Sequence, residues 1–329
     1  MTAFSEFIKH VGRGEKGRRS LTQEEAREAL NMYLDGKAEL LQLAVLLMLQ
    51  RVRCETDEEA AGYIEALRSR ISPQWQSIDI DLDWPCFAGK RRQPPWLLLA
   101  AKILAQNGKR VFLHGHAAID MVKYQIETAC PALNIRQANT VEEAEAILAL
   151  DNICYVPLSS YCDPLVDLLA LRSQVGLRTP LNTVARALNP TAAPFSIHGI
   201  FHQGYEKLHA DAAALVGDDN MVAFKGEGGE SERSPRIACR LAGVINGERF
   251  DEEWPTFLEG ASGKHGEISG EYLQKVWLGE EDNNYGSHAV ISTLAITLKL
   301  MGLCKTQEAA LALAEKWWLA RHDLNQPNE

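Results

Sequence analysis

The sequence predicts a protein of two domains, a small α-helical domain and a larger α/β domain built on a mainly parallel sheet. Two observations support this fold class. Helical periodicity and helix-capping signals dominate the first seventy or so residues, whereas from about residue 78 short apolar runs alternate with helical stretches. Strand–helix alternation of this kind is typical of parallel α/β units. A length of 329 residues accommodates both domains.

Capping signals define the helices of the opening segment. Thr22, followed three residues later by Glu25, has the spacing of a capping box, and Thr56 begins another helix that ends near Ser69. Between them, residues 40–49 are almost entirely apolar. We expect this apolar helix to be buried on most of its sides.

Four short apolar runs predict strands of the sheet, and helical stretches separate them. The strands are expected at 111–113, 153–156, 195–197 and 221–224, and the helices at 96–106, 141–150 and 205–215. Two further helices, at 162–175 and 180–188, interrupt the alternation and are expected to rejoin the N-terminal helices. The predicted helical domain therefore comprises residues 1–75 with 162–190, and the α/β domain residues 76–161 with 191–329.

Composition restricts the class of protein further. The 34 Lys and Arg residues against 44 Asp and Glu give a net charge of −10, which disfavours a uniformly basic protein but allows a local basic groove. Seven scattered cysteines without a Cys-x-x-Cys pair disfavour a disulfide framework or a zinc site. No run approaches the roughly 20 apolar residues of a membrane helix, and residues 1–19 have no apolar centre. We expect a cytoplasmic protein without a membrane partner or a metal site.

One longer string resembles a family signature. Residues 171–182 read LRSQVGLRTPLN, and Asn189-Pro190 follows. The string resembles the R-x-x-L-G-x-R-T-x-x-N signature of the anthranilate phosphoribosyltransferase group of glycosyltransferase family 3, whose opening helices residues 21–69 also match. The resemblance implies a nucleoside phosphorylase/phosphoribosyltransferase-like fold, a cleft between the domains and a homodimer joined through the helical domain. It also implies that Arg172 is the arginine of the acceptor site.

The first cleft motif of working members of that family is altered here. Their Gly-rich G-T-G-G-D turn cradles the pyrophosphate of phosphoribosyl pyrophosphate on backbone N–H groups, which glycine allows to approach closely. The corresponding residues 85–95 keep one glycine, Gly89, followed by the three cations Lys90, Arg91 and Arg92. The loss of the other glycines predicts that this cradle is missing.

The second and third motifs are altered as well. K-H-G-N-R becomes LHGHA at residues 113–117, which keeps His114 and Gly115. The Asp-Glu pair that holds magnesium becomes Ser231-Glu232, so one of two carboxylate ligands is lost. Standard phosphoribosyl transfer is therefore expected to be lost.

Residues 88–94 read AGKRRQP and resemble the A-G-x-R-K-x-P-like segment of the YbiB-type branch, whose members bind nucleic acid. This resemblance implies DNA or RNA as the partner. The expected phosphate contacts are Lys9, Arg13, Lys16, Arg18 and Arg19 near the N-terminus, Lys90, Arg91 and Arg92 at the end of the first strand, and Arg178 and Arg186 on the helical side. Ala88, Gly89, His114, Gly115 and His116 are expected to line the cleft.

Simpler interpretations of these cations remain open. The N-terminal cluster is also typical of a solvated end of the chain. The run from Lys90 to Arg92 is also typical of a solvated loop, and Arg178 is also consistent with an ion pair to a carboxylate. Lys225, Arg233, Arg236 and Arg240 alternate with acidic residues, which favours a solvated surface. Arg68 is expected to be a neutral control in the helical domain.

The sequence as a whole predicts a homodimer that binds DNA or RNA with little sequence specificity through a basic cleft and dimer groove, without a cofactor or a catalytic residue. The alternative is an active phosphoribosyltransferase, of anthranilate type or with an altered acceptor, or a nucleoside-type phosphorylase. It would use magnesium with phosphoribosyl pyrophosphate and the residues His114, Arg172 and Glu232. A third possibility is a non-catalytic sensor of small anions.

Overall fold

The computed structural model describes residues 3–117, 123–260 and 267–325. The helices are α1 (Phe4–Gly12), α2 (Gln23–Leu34), α3 (Leu40–Arg53), α4 (Asp57–Arg68), α5 (Pro73–Gln76), α6 (Leu97–Gln106), α7 (Ile126–Ala129), α8 (Val141–Asp151), α9 (Asp163–Val175), α10 (Leu181–Val184), α11 (Tyr205–Val216), α12 (Gly270–Leu278), α13 (Asn284–Leu300) and α14 (Gln307–Leu319). The strands are β1 (Leu82–Cys86), β2 (Val111–Gly115), β3 (Ile153–Pro157), β4 (Phe195–Ile200), β5 (Met221–Lys225), β6 (Cys239–Ile245) and β7 (Glu248–Trp254).

Both predicted N-caps are present. The Thr22 side chain accepts a hydrogen bond from the Glu25 backbone, and the Glu25 carboxylate accepts one from the Thr22 N–H. Thr56 and Glu59 form the same reciprocal pair at the start of α4. Each capping box satisfies two amide groups that have no partner inside the helix, so the sequence alone locates these helix starts.

Helix α3 differs from its prediction. Leu43, Leu46 and Leu47 are fully buried, but Leu41 is 75% exposed and Val52 is 81% exposed. In a single chain the helix thus packs on one side and presents an apolar stripe to solvent on the other. The expectation that it is buried on most sides is wrong for the isolated chain.

Within the described residues, one seven-stranded sheet has the order β3-β2-β1-β4-β5-β6-β7. Strands β1 to β5 are parallel, as strand–helix alternation predicts, whereas β6 and β7 are antiparallel. The alternation does not predict this hairpin, although Asn246-Gly247 at its turn, both with positive φ, is a strong hairpin signal. The strand order reverses between β1 and β4, and ligands of open α/β sheets bind outside the carboxyl ends of the strands at such a point.

Apolar packing joins the two parts of the chain. Helices α6, α12, α13 and α14 cover one face of the sheet, and the core on the other face continues into the helical part. Trp75 contacts the rings of Phe112 and Tyr161 edge-on in this shared core. Arg68 of α4 adds a polar link, because its guanidinium donates to both carboxylate oxygens of Asp218 at 2.7 and 2.8 Å. None of the helices in the described ranges is long and apolar enough to cross a membrane.

Candidate anion-binding cleft

The loop after β1 leaves the sheet at the point where the strand order reverses. Ala88 and Gly89 direct their backbone N–H groups at one oxygen of the Glu230 carboxylate, at 2.6 and 2.5 Å. Glu230 is 1% exposed. A carboxylate of the chain itself therefore occupies the amide groups that, according to the family resemblance, would cradle a diphosphate.

Glycines hold the Glu230 segment against the sheet. A Cβ atom added at Gly199 would lie 2.2 Å from the Glu230 carbonyl carbon, and one added at Gly226 would lie 1.5 Å from the Glu230 carbonyl oxygen. Both distances are far inside van der Waals contact, so only glycine permits this approach. Close packing at these two glycines therefore determines the position of the Glu230 backbone.

Lys90 is the first residue whose position differs from the sequence-based prediction. Its ammonium lies 2.6 Å from a Glu232 carboxylate oxygen, and neither side chain is exposed. The other Glu232 oxygen accepts from the Leu97 N–H, 3.0 Å away at the start of α6. Burial raises the pKa of the Glu232 carboxyl to about 7, although Lys90 counteracts that shift. Lys90 neutralises a buried acid, so the prediction that it contacts phosphate at the cleft rim is wrong.

The magnesium motif does not fit a metal. Ser231 is fully buried and donates its hydroxyl hydrogen to the Ile197 carbonyl 3.0 Å away. The Glu232 carboxylate is engaged by Lys90 and Leu97. Among the described residues no group of three or more His, Cys, Asp or Glu side chains is arranged to hold a metal ion. Glu232 therefore does not serve the metal-binding role of the alternative hypothesis.

His114 and Gly115 do not line the cleft either. His114 is fully buried, with Nδ1 2.6 Å from the Tyr161 hydroxyl and Nε2 3.0 Å from an Asp83 carboxylate oxygen. A Cβ atom added at Gly115 would lie 2.0 Å from the Cys86 carbonyl oxygen. The retained His-Gly pair therefore packs β2 against β1, and the prediction that His114 faces a substrate is wrong.

The polar chain that begins at His114 continues through the sheet. Ser196 donates to the other Asp83 oxygen at 3.0 Å and lies 2.9 Å from His198 Nε2, whose Nδ1 lies 3.1 Å from His209 Nδ1. Burial holds the pKa of His198 well below its usual range and lowers that of His209 to about 3. These two histidines are therefore neutral near pH 7 and serve as structural hydrogen-bonding groups.

The cleft outside the carboxyl ends of β1, β4 and β5 contains a cavity of about 600 Å³, here called the sheet-side cavity. Of the described residues that line it, one, Glu227, is acidic, and six carry a positive charge: Arg91, Arg92, Lys123, Arg172, Arg178 and Lys225. Gly89 also contributes to its wall. A concave surface with this excess of cations concentrates anions.

A second cavity of about 420 Å³, the helical-side cavity, adjoins the first. Arg91, Arg172 and Arg178 line both cavities, and Phe87 and His116 line this one. Burial lowers the pKa of the His116 imidazole below its ordinary value. The helical-side cavity thus combines cations with apolar surface contributed mainly by the helical domain.

Arg186 lines the helical-side cavity but is almost enclosed, at 8% exposure, and donates to the Asn182 carbonyl at 2.5 Å. Burial lowers its pKa to about 10. Ala88 is 2% exposed and contributes backbone groups, because its carbonyl accepts from the Lys123 ammonium at 2.5 Å. Arg186 and Ala88 therefore form part of the structure of the cleft and expose little charge to solvent.

The N-terminal cations lie on the helical domain. Lys9 pairs with Glu6 and Arg19 with Glu25, both at 2.6 Å, whereas Lys16 lies in the exposed turn after α1. Arg13 and Arg18 line an apolar groove of about 710 Å³ formed largely by α3, which Val175 of α9 also lines. Arg172 of the cleft is about one helical turn before Val175, so the groove and the cleft both reach the last turn of α9.

Several residues of the cleft are not predicted from the sequence, among them Lys123, Lys225 and Phe201. Lys123 and Lys225 line the sheet-side cavity although they are distant in sequence from Lys90–Arg92, and the charge pattern favours a solvated surface for Lys225. Phe201, directly after β4, lines the same cavity and is 52% exposed. The one usable signal is position, since Lys225 and Phe201 both lie where parallel strands end. Arg233, for which the charge pattern also favours a solvated surface, is instead fully buried.

A helical domain combined with a doubly covered, mainly parallel sheet, and an anion-attracting cleft where they meet, define a phosphoribosyltransferase-like protein. Comparisons with known proteins agree. Residues 5–71 match the helical bundle domain of the glycosyl transferase family. The chain is 27% identical over 232 residues to the anthranilate phosphoribosyltransferase of Geobacillus sp. (strain WCH70), covering 70% of this chain and 67% of that one.

Two further similarities are informative. The chain is 28% identical over 243 residues to the uncharacterized protein YbiB of Escherichia coli (strain K12), covering 71% of this chain and 75% of that one. The fold matches the crystal structure of anthranilate phosphoribosyltransferase from Thermus thermophilus with a TM-score of 0.80, at 20% identity, over 98% and 97% of the two chains. The chain is thus similar in sequence and in fold to anthranilate phosphoribosyltransferases, and its N-terminal helices match the helical bundle domain of the glycosyl transferase family.

Proposed function

We propose that this protein binds DNA or RNA with little sequence specificity, through the cleft and a groove formed between two copies, and that it has lost standard phosphoribosyl transfer. The observation that carries the proposal is the lining of the sheet-side cavity, which among the described residues comprises six cationic residues and one acidic residue, Glu227. Contacts from Lys and Arg to phosphates position a nucleic acid without reading its bases. The binding is therefore expected to be salt-dependent and weakly selective.

The hydrogen bonds of the Glu230 and Glu232 carboxylates support the proposed loss of phosphoribosyl transfer. Glu230 accepts the Ala88 and Gly89 amide hydrogens, and Glu232 accepts the N–H of Leu97 at the α6 N-terminus. A diphosphate at this position would meet two buried acids instead of free amide donors. Changing Ser231 to Asp would not restore a metal site, because the Ser231 hydroxyl faces the Ile197 carbonyl inside the sheet.

The dimer groove extends the proposed binding surface. The exposed stripe of α3 includes Leu41 and Val52, and Arg13 and Arg18 border the same groove. A second copy that covers the stripe would remove apolar surface from water. It would also place the N-terminal cations of both copies along the pairing surface. Because Val175 at this surface and Arg172 in the cleft both lie near the end of α9, a polyanion bound in the cleft can continue along the N-terminal cations at the edge of the pairing surface.

An altered phosphoribosyltransferase is the second candidate. The helical-side cavity of about 420 Å³ favours it, since that volume suits a small acceptor and Arg172 lies in its wall. In this case Arg91 and Arg92, rather than Lys90, would bind the phosphates. The buried positions of His114 and Glu232 weaken this candidate.

A paired measurement on one preparation tests the proposal. Fluorescence anisotropy gives the affinity for single-stranded and duplex oligonucleotides across a salt series, and calorimetry gives the binding of magnesium phosphoribosyl pyrophosphate. We expect nucleic-acid affinity to fall linearly with salt on logarithmic axes and phosphoribosyl pyrophosphate to give no binding heat. Conversion of anthranilate by a protein that does not bind oligonucleotides would instead establish the second candidate.

A further inference from the structure

An exposed aromatic ring stands beside the cations of the sheet-side cavity. Phe201 follows the last residue of β4 and lines the cavity, yet 52% of it is exposed. Burying a large apolar side chain is favourable, so an exposed ring at a cleft is available to a partner.

Local packing determines where the Phe201 ring lies. A Cβ atom added at Gly229 would lie 3.3 Å from Phe201 Cβ and 3.6 Å from Cδ2, so the absence of a side chain at Gly229 leaves room for the Phe201 side chain. The His202 ring contacts Phe201 edge-on, with centroids 4.9 Å apart and an angle of 82° between the planes. These contacts hold the ring in place while about half of the residue stays accessible to a partner.

The surroundings combine the two kinds of contact that an unpaired nucleotide needs. Lys225 directly follows Phe224 in β5, the strand beside β4, and contributes positive charge to the same cavity, as do Arg91 and Arg92. Ile237, which is 48% exposed, adds a second apolar surface. Phosphate contacts from cations and base stacking on aromatic rings together characterise proteins that bind single strands.

We infer that the cleft binds single-stranded nucleic acid, with an unpaired base stacked on Phe201 and the adjoining phosphates held by the cavity's cations. This inference rests on the proposed nucleic-acid function and specifies its ligand. In a duplex the faces of the bases are covered by their neighbours, so only an unpaired base can present its face to the ring. Every base has such a face, which keeps the binding tolerant of sequence.

The test compares wild-type protein with Phe201→Leu, using labelled oligothymidylate, oligouridylate of the same length and a duplex of that length. We expect Phe201→Leu to weaken binding of both single strands by about 5- to 150-fold, the range for removal of one base-stacking interaction. Duplex binding is expected to change by less than about two-fold, and the salt slope to stay the same, because every phosphate-binding cation is retained. Leu278→Ala is the matched control, since Leu278 is 50% exposed on α12 and outside the cleft.

A second variant reports stacking directly. Phe201→Trp places an indole at this position, and oligothymidylate is expected to quench the added emission relative to the wild-type background. Absence of quenching while the strand is bound, or an equal loss of single-strand and duplex affinity in Phe201→Leu, would refute the stacking site and leave nucleic-acid binding intact. Failure of wild-type protein to bind any of the three probes would instead refute the proposed function.

Discussion

The Lys90 ammonium and the Glu232 carboxylate form an ion pair of 2.6 Å from which solvent is excluded, across 142 positions of sequence. A buried pair of this kind is costly to desolvate and is strongly destabilising when one partner is removed. The Lys90–Glu232 pair holds the loop after β1 against the segment that follows β5. It also keeps the Lys90 charge out of the cleft, so that only Arg91 and Arg92 of the three adjacent cations remain there. The stability and the charge of the site are therefore coupled through the same two residues.

The Glu232 carboxyl gives stability a specific dependence on pH. Its pKa is about 7 in the folded chain against an ordinary value of 4.5, so between these pH values the folded chain holds a proton that the unfolded chain has released. The contribution of this group to stability is therefore greatest below pH 4.5 and is lost as pH rises through about 7, with a limiting slope of about 1.4 kcal/mol per pH unit. Urea unfolding at a series of pH values should show a flatter profile for Glu232→Gln than for wild type.

Glu280→Gln is the control for that profile, because Glu280 lies on the surface and its replacement should leave the slope unchanged. If Glu232→Gln and wild type have the same pH profile, Glu232 does not retain its proton in the folded chain.

Arg91 and Arg92 are exposed cations of the cleft, and their joint replacement by Ala should weaken nucleic-acid binding to a similar extent for unrelated sequences. The salt slope should decrease by about 0.9 for each phosphate that is no longer neutralised on a duplex, and by about 0.7 on a single strand. Because both side chains lie at the surface, the midpoint of thermal unfolding should stay nearly constant. Anisotropy titrations across a salt series measure the affinity and the slope.

Lys305→Ala with Lys316→Ala is the matched control for this double variant, since both lysines are exposed and lie in neither cavity. An unchanged affinity and salt slope in the Arg91/Arg92 variant would mean that these residues are only part of a solvated loop.

The apolar stripe of α3 predicts a homodimer. Leu41→Asp introduces a charge where a second copy would cover the stripe, so sedimentation equilibrium at micromolar concentration should show a dimer for wild type and a monomer for the variant. Leu150→Asp is a closely matched control, because Leu41 and Leu150 are both 75% exposed and Leu150 lies on α8. A wild-type monomer, or dissociation by both variants alike, would contradict pairing through α3.

Arg68 is not the neutral control that the sequence suggests. Its guanidinium donates to both Asp218 oxygens and to the Ala187 and Leu188 carbonyls, and its side chain is 22% exposed. Arg68→Ala leaves these acceptors without their donor, and a decrease of about 2–4 kcal/mol in the free energy of unfolding is expected. Chemical denaturation measures the decrease. A change below about 0.5 kcal/mol, the level of an ordinary surface substitution, would show that the link is not stabilising.

Local sequence is sufficient for many of the helices and strands, though not for all of them. Thr22 and Thr56 with their partner glutamates predict helix starts, and short apolar runs predict β2 to β5, because capping and side-chain periodicity depend on residues only a few positions apart. The altered motifs also predict that the loop after β1 differs from a working diphosphate cradle. The hairpin at Asn246-Gly247 has the same kind of local signal.

Only the tertiary structure decides which of the candidate residues reach the cleft. Lys90 and Arg91 are adjacent in sequence, yet one is enclosed against Glu232 and the other is exposed, because successive residues of a loop point in different directions. His114 is enclosed by the packing of β1 and β2, whereas Lys123, Lys225 and Phe201 converge from separate parts of the chain. The burial of a side chain and the meeting of distant residues in one cleft depend on contacts between residues far apart in sequence. A local pattern of residue types therefore does not predict them.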